Sequence, residues 1–426
     1  MRFTLDAQSS DGEITSIAIR FRIGLRTTGI YGYLDFEQAK LVHGELFWRT
    51  NTSGSYIPPG TLITYRFEVE DSSGNLLTTD FSVLPYHDSR FEWIEISEGP
   101  VTVAYHGPVA TRAEAILNVI VQTLEKMGPI LGAETLTPIR VAIYNNQKEM
   151  LEALPPGSAA VGRELITEGQ AFSDIGTLLV LAGGRMALGT ASHEVTHILV
   201  HRSGDSIIRG IPSWLNEGLA EFGNVDPGYS YDVALEFAIG TDRLIPIVFT
   251  QTLPGIPEEV IIYYGQSRSL IRYMIQKFGP AKIQELMANL KEGTDMDGAL
   301  TKVYGLDRLE LYNLWLKAIG ADSYELPDVA SAKPTPITFA TVGPFTLTPQ
   351  ADAVTVGASS GEDTTDSEEK SPSPKNEDTQ RQAQTPAGGC NTRASSTGPI
   401  EVSSSILFIG LVGLTLRRLR RRDSRS

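Results

Sequence analysis

Residues 191–204 read ASHEVTHILVHRSG and residues 212–223 read PSWLNEGLAEFG, two helical stretches that decide the character of the central domain. Of the six histidines in the chain, His193, His197 and His201 fall within nine residues. A helix stacks positions four apart on one face, so His193 and His197 can offer two imidazole nitrogens to one metal at about 2.0–2.1 Å. Glu194 lies about 100° further round the helix, where it can take a proton from a metal-bound water instead of binding the metal. Ala191, Val195, Ile198 and Leu199 form an apolar stripe on the same helix, which also fits a plain core helix with satisfied histidines. Glu217, after nineteen intervening residues, turns the balance toward the metal. Two histidines and one carboxylate leave a fourth tetrahedral position for water, the arrangement of a catalytic zinc. His201 extends the stripe by a turn; with the ligand set already filled it reads as a surface histidine or one behind the ligands.

Outward from these helices the period of the hydrophobic pattern changes. Upstream, TRAEAILNVIVQTLEKMG sets Ile116, Ile120 and Leu124 on one side of a helix, with Ala115, Val119, Gln122 and Lys126 on another. PIRVAIYN reads as a strand, as does IGTLLVLAG; the latter fits either an interior strand or an edge strand along which an extended peptide adds. Downstream to about Gly320 the chain is helical, including QSRSLIRYMIQKFG, AKIQELMANLK and LDRLELYNLWLKAIG. Residues 98–322 therefore read as one mixed domain, with 145–170 placed by position at the cleft or its cover. Glu168, Asp174 and Arg185 lie nearby in sequence without a role to assign.

Residues 1–97 follow a period of two. Ile17, Ile19, Phe21 and Ile23 alternate, as do Ile63, Tyr65, Phe67 and Val69, and the turn cluster DSSGN leads into LLTTDFSV to close a hairpin. Strand spacing and length resemble an immunoglobulin-like or fibronectin-like sandwich, a likeness that says little about activity. Trp48, Tyr56, Tyr65 and Trp93 fit core and rim positions of such a sandwich better than a peptide or glycan contact.

Composition bounds the partners. The 426 residues are 41 % hydrophobic and 20 % charged, with net charge -15; six Arg and one Asp in the last ten residues leave about -20 on the rest. An acidic body repels polyphosphate, and no Gly-rich loop followed by Lys-Ser/Thr is present, so nucleic-acid and nucleotide partners are not expected. One cysteine, Cys390, excludes an intrachain disulfide, a four-thiolate zinc site and a Cys-x-x-Cys pair.

HEVTH followed by WLNEGLAE resembles the gluzincin zinc peptidases over roughly residues 98–322, and is similar in particular to bacterial peptidase-MA-like proteins, which share the second helix and a later Tyr-x-x-Ser-x-x-Leu segment. The resemblance to aminopeptidase N-like and thermolysin-like enzymes implies that Glu217 is the third zinc ligand, with Asn216 and Gly218 extending the match. It implies that Glu221, four residues on, hydrogen-bonds a ligand histidine, although the family acid is usually Asp and a solvated helix face is the plainer alternative. It also implies a phenol donor to the reaction's oxyanion, placed at Tyr264 in preference to Tyr263, at the start of a helix. The Gly-x-Met-Glu-Asn strand that holds a substrate α-amine in aminopeptidases is missing, which speaks against amino-terminal trimming.

Residues 323–399 are rich in Ser, Thr, Pro and acids and read as a disordered linker. Ile400 to Leu416 followed by the Arg cluster reads as a short membrane anchor with the tail inside, or as a carboxy-terminal sorting signal near Cys390; its apolar core, Ile406 to Leu416, is shorter than the ~20 residues of a spanning helix. The first residues lack a basic start and apolar run, so the outside placement this topology needs implies an export segment missing from the sequence. The expectation is thus a multidomain chain: an N-terminal all-β immunoglobulin-like sandwich, an α+β thermolysin-like gluzincin catalytic domain holding one Zn2+, a disordered stalk and a short C-terminal transmembrane segment in residues 400–426. The expected activity is peptide-bond hydrolysis, as an endopeptidase outside a bacterial cell, acting on a peptide or protein substrate. The alternative is a catalytically inactive surface binding protein that uses the sandwich.

Overall fold

The computed structural model describes residues 1–327 apart from 53, 156–167, 185, 207, 209, 228–229, 251–252 and 255. The expected stalk beyond 327, the 400–426 segment, Cys390, Arg185 and half of 145–170 therefore lie outside the described residues. Among the described residues no helix is long and apolar enough to cross a membrane.

The N-terminal β-rich region is built from two antiparallel layers. Strand β1 (Arg2–Gln8) pairs with β4 (Leu41–Phe47), Arg2 opposite Phe47 through Gln8 opposite Leu41. The second layer runs β3 (Ile30–Tyr33), β2 (Ile14–Ile23), β5 (Thr61–Asp71), β6 (Leu76–Thr78), with β7 (Ser82–Tyr86) on the first half of β5. The alternation on β2 has the meaning expected of a half-buried strand: Ile17, Ile19, Phe21 and Ile23 are all buried, packed with Phe3 and Leu5 from the other layer and with Ile63, Phe67 and Val69 of β5. The DSSGN turn holds because the Asp71 carboxylate accepts from the backbone N–H groups of Ser73 and Asn75, both at 3.0 Å, and from the buried Ser9 hydroxyl. All four singled-out aromatics pack or bond internally: Trp48 edges onto Phe21, Tyr65 tilts onto Phe3, and Tyr56 donates to the Ala153 carbonyl. Trp93 donates to the Asp88 carbonyl.

The second sheet has the order β11 (Gly169–Phe172), β12 (Thr177–Leu181), β10 (Ile139–Tyr144), β9 (Val101–Tyr105), β8 (Ile94–Glu98). The three central strands are parallel, and the two outer ones run antiparallel to their neighbours. Strand β8 begins before the expected join at 97/98 yet pairs along its whole length with β9. The crossover between β9 and β10 is helix α1 (Ala110–Leu131), and α2 (Gln147–Ala153) follows β10. Both faces of the central strands are covered. Val141 and Ile143 of β10, with Leu178 and Val180 of β12, join the core under α1; Ala142, Tyr144, Leu179 and Leu181 face the other way, with Met150 and Ala153 of α2. That is why TLLVL is an unbroken apolar run instead of an alternating one. The IGTLLVLAG stretch is accordingly interior, and the edge is the short β11 before it.

Helix α3 (Ala187–Gly204) starts one turn before the expected Ala191 and is buried on nearly every side, against α1, α4 (Ser213–Gly223) and α7 (Pro280–Lys291). Helices α5 (Tyr231–Gly240), α6 (Pro257–Phe278), α8 (Met296–Tyr304) and α9 (Arg308–Ala318) complete the helical half. Helix α4 approaches α6 closely: a Cβ on Gly218 would lie 2.7 Å from the Ser267 carbonyl oxygen, so only glycine lets the two helices pack this tightly. Helix α6 begins at Pro257, with Glu258 and Glu259 in its first turn, nine residues before the QSRSLIR stretch. Tyr264 therefore stands two turns inside a helix and not at its start.

Candidate metal centre and active-site pocket

His193 and His197 share the α3 face that turns toward α4, and their Nε2 atoms converge to 3.0 Å. Glu217, on the second turn of α4, brings Oε2 to 3.6 Å from His193 Nε2 and 3.5 Å from His197 Nε2. All three side chains are buried, and among the described residues this is the one His/Cys/Asp/Glu group whose donor atoms gather closely enough to hold a metal ion. Burial alone would raise the Glu217 carboxyl, but the imidazoles of His197 and His193 outweigh it and hold the group at about 2. An ionised carboxylate and two converging imidazole nitrogens form a donor set that fits Zn2+.

The other nitrogen of each imidazole is engaged from behind. His197 Nδ1 lies 2.9 Å from Asn216 Oδ1, an acceptor, so its proton sits on Nδ1 and the Nε2 lone pair faces the centre. His193 Nδ1 lies 3.1 Å from Glu221 Oε1. Glu221 Oε2 in turn accepts from Asn224 Nδ2 at 3.1 Å, and the Tyr231 phenol hydrogen-bonds the same carboxylate. The extra methylene of Glu over Asp is thus taken up within reach of the imidazole, and Glu221 is buried, not on a solvated face. Glu221→Ala and Asn216→Ala are each expected to weaken zinc binding about 10–100-fold, measured by competition with a chromogenic chelator. His201→Ala leaves the affinity unchanged in the same assay, because His201 Nδ1 pairs at the surface with Asp205 at 2.7 Å.

A pocket enclosing about 40 Å³, room for more than one water, opens beside the histidines. Its wall includes Glu168, Gly169, Thr190, His193, Glu194, Glu221, Tyr231 and Tyr264. Glu194 is buried with its side chain against the start of β11: a Cβ on Gly169 would come within 2.7 Å of Glu194 Cγ and 3.0 Å of Oε1. Glycine at 169 is what lets the edge strand and the carboxylate meet. The Tyr264 ring lies 6.3 Å from that of His193, whereas Tyr263, one residue back, is absent from the pocket wall.

His193 joins two groups: it converges with His197 and Glu217, and it lines the pocket with Glu194, Glu221 and Tyr264. Asp174 is elsewhere, paired with Arg26 at 2.9 Å. Sequence reasoning gave Gly169 and Tyr231 no place here. Neither carries a local signal, since each matters only through a neighbour far away in the chain. Asn216 was visible as part of Asn-Glu, but its bond to His197 was not.

Fold and site together define the HExxH class with a downstream glutamate. Residues 119–321 match the family model described as the peptidase MA superfamily. An M1 zinc metallopeptidase from Deinococcus radiodurans shares 12 % identity over 76 % of this chain and 87 % of its own, with TM-score 0.32. The ZmpB metallopeptidase from Clostridium perfringens shares 12 % over 74 % of this chain and 67 % of its own, with TM-score 0.31. No curated protein gives a significant match.

Proposed function

We propose that the protein is a zinc-dependent peptidase that cleaves internal peptide bonds. The observation that carries this reading is the convergence of His193 Nε2, His197 Nε2 and Glu217 Oε2 beside a pocket walled by Glu194 and Tyr264. Zinc, when bound by the three ligands, supplies Lewis acidity toward water and toward the scissile carbonyl. Glu194 accepts the proton of the attacking water and passes it to the departing amine nitrogen as the C–N bond breaks. Tyr264 donates its phenolic hydrogen to the developing oxyanion. The side of β11 away from β12 pairs with no strand among the described residues, so an extended substrate can add there by main-chain pairing, its scissile bond carried to Glu194 by the contact at Gly169.

Export and anchoring through Ile400–Leu416 belong to the same proposal and rest on the sequence alone. The activity is tested with the zinc-loaded chain and an unbiased peptide mixture read by mass spectrometry. Internal cuts that vanish on chelation and return with zinc are expected. A zinc-loaded protein that cuts nothing supports instead a binding protein with an inactive peptidase-like domain.

A further inference from the structure

Glu168 lines the same pocket as His193, Glu194 and Tyr264 and takes no part in the reaction above. Its carboxylate is half-buried, and burial pushes it up from the ordinary carboxylate range, offset only in part by one hydroxyl donor. That donor is Thr190 Oγ1, at a long 3.4 Å. On its other side the carboxylate lies against Gly184, where a Cβ would come within 3.3–3.4 Å of three of its atoms. No Lys, Arg or His among the described residues forms an ion pair with it.

Its position relative to the reaction follows from α3. Thr190 and Glu194 are four residues apart on the same face, so Glu168 is held about 6 Å along the helix from the level of the proposed base. A Cβ on Gly169 would be 2.4 Å from Thr190 Cγ2 as well as 2.7 Å from Glu194 Cγ, which shows how firmly the chain entering β11 presses on this face. A strand advances about 3.3 Å per residue, so a peptide lying along β11 passes Glu168 within one or two residues of the bond at Glu194. Among the described residues this half-buried carboxylate meets one weak neutral donor, and a cation arriving with the substrate gives it a partner that a neutral group does not. The net negative charge favours the approach of cationic peptides in general.

We propose that Glu168 is a specificity-determining residue that receives a cationic group of the substrate, an ammonium or guanidinium, one or two residues from the scissile bond. This rests on the peptidase reading above. The shared chemistry has two sources, a Lys or Arg side chain and a free α-amine, and the experiment separates them.

The zinc-loaded full chain and its Glu168→Gln and Glu168→Lys variants are given a peptide library of which one half is N-acetylated, and the residues flanking each cut are read by mass spectrometry. The wild type is expected to prefer a cationic group at one flanking position by about 10–100-fold, the worth of a hydrogen bond to a charged partner. That preference collapses toward unity in Glu168→Gln and turns toward Asp or Glu in Glu168→Lys. Because it is a ratio within each protein, it does not depend on overall rate. Preference retained in the acetylated half assigns Lys or Arg; preference confined to the free half assigns the α-amine. Wild-type selectivity in an active Glu168→Gln overturns this inference alone, whereas a zinc-loaded wild type that cuts nothing overturns the peptidase reading with it.

Discussion

Glu194→Gln is expected to keep zinc bound at wild-type stoichiometry while peptide cleavage falls by about 10²–10⁴-fold, the span attributed to a positioned general base. The separation of the two readouts follows from geometry. The metal-facing atoms are His193 Nε2, His197 Nε2 and Glu217 Oε2, and Glu194 is not among them. Its carboxylate belongs to the pocket wall, against Gly169. Glutamine keeps the length and shape that this tight contact requires, but it has no basic oxygen to accept a proton at neutral pH. Metal analysis beside initial rates on one peptide checks the claim. Cleavage at the wild-type rate would show that the proton goes elsewhere and would remove Glu194 from the mechanism.

The second large effect is on the ligand from α4. Glu217→Gln is expected to cost at least about 100-fold in zinc affinity, more than the 10–100-fold of an outer partner, because it removes the only anionic donor of the set. Wild-type protein at zinc concentrations about 100-fold above Kd should gain about 2.7 kcal/mol, a rise in Tm of about 5–10 °C. In Glu217→Gln that rise should be absent. Glutamine is close in volume to the buried glutamate, so loss of the response reports the missing donor and not a collapsed core. A variant whose Tm still climbs with zinc would place the third donor elsewhere.

Legibility in the sequence followed the range of the interactions involved. Side-chain periodicity is local, so the buried face of β2, the helical character of α1 and the pairing of His193 with His197 on one face of α3 could be read without any partner in view. Helix starts were misplaced by a turn or more at α3 and α6, because the decisive residues, Ala187 and Pro257, lie outside the strongly patterned stretches. The apolar IGTLLVLAG run admitted an edge or an interior position for the same reason. A strand covered on both faces loses its alternation, and only its neighbours β10 and β11 reveal which place it holds.

By itself the sequence determined the β-rich N-terminal region, the mixed peptidase-like domain and the residue types of a zinc site, since each is written in short-range spacing. Only the tertiary structure decided that β11 is the edge strand, that Gly169 lets it touch Glu194, that Asn216 and Glu221 each hold one imidazole from behind, and that Tyr264 and not Tyr263 faces the pocket. These are contacts between segments tens of residues apart. Packing fixes them, and no local period or propensity encodes them.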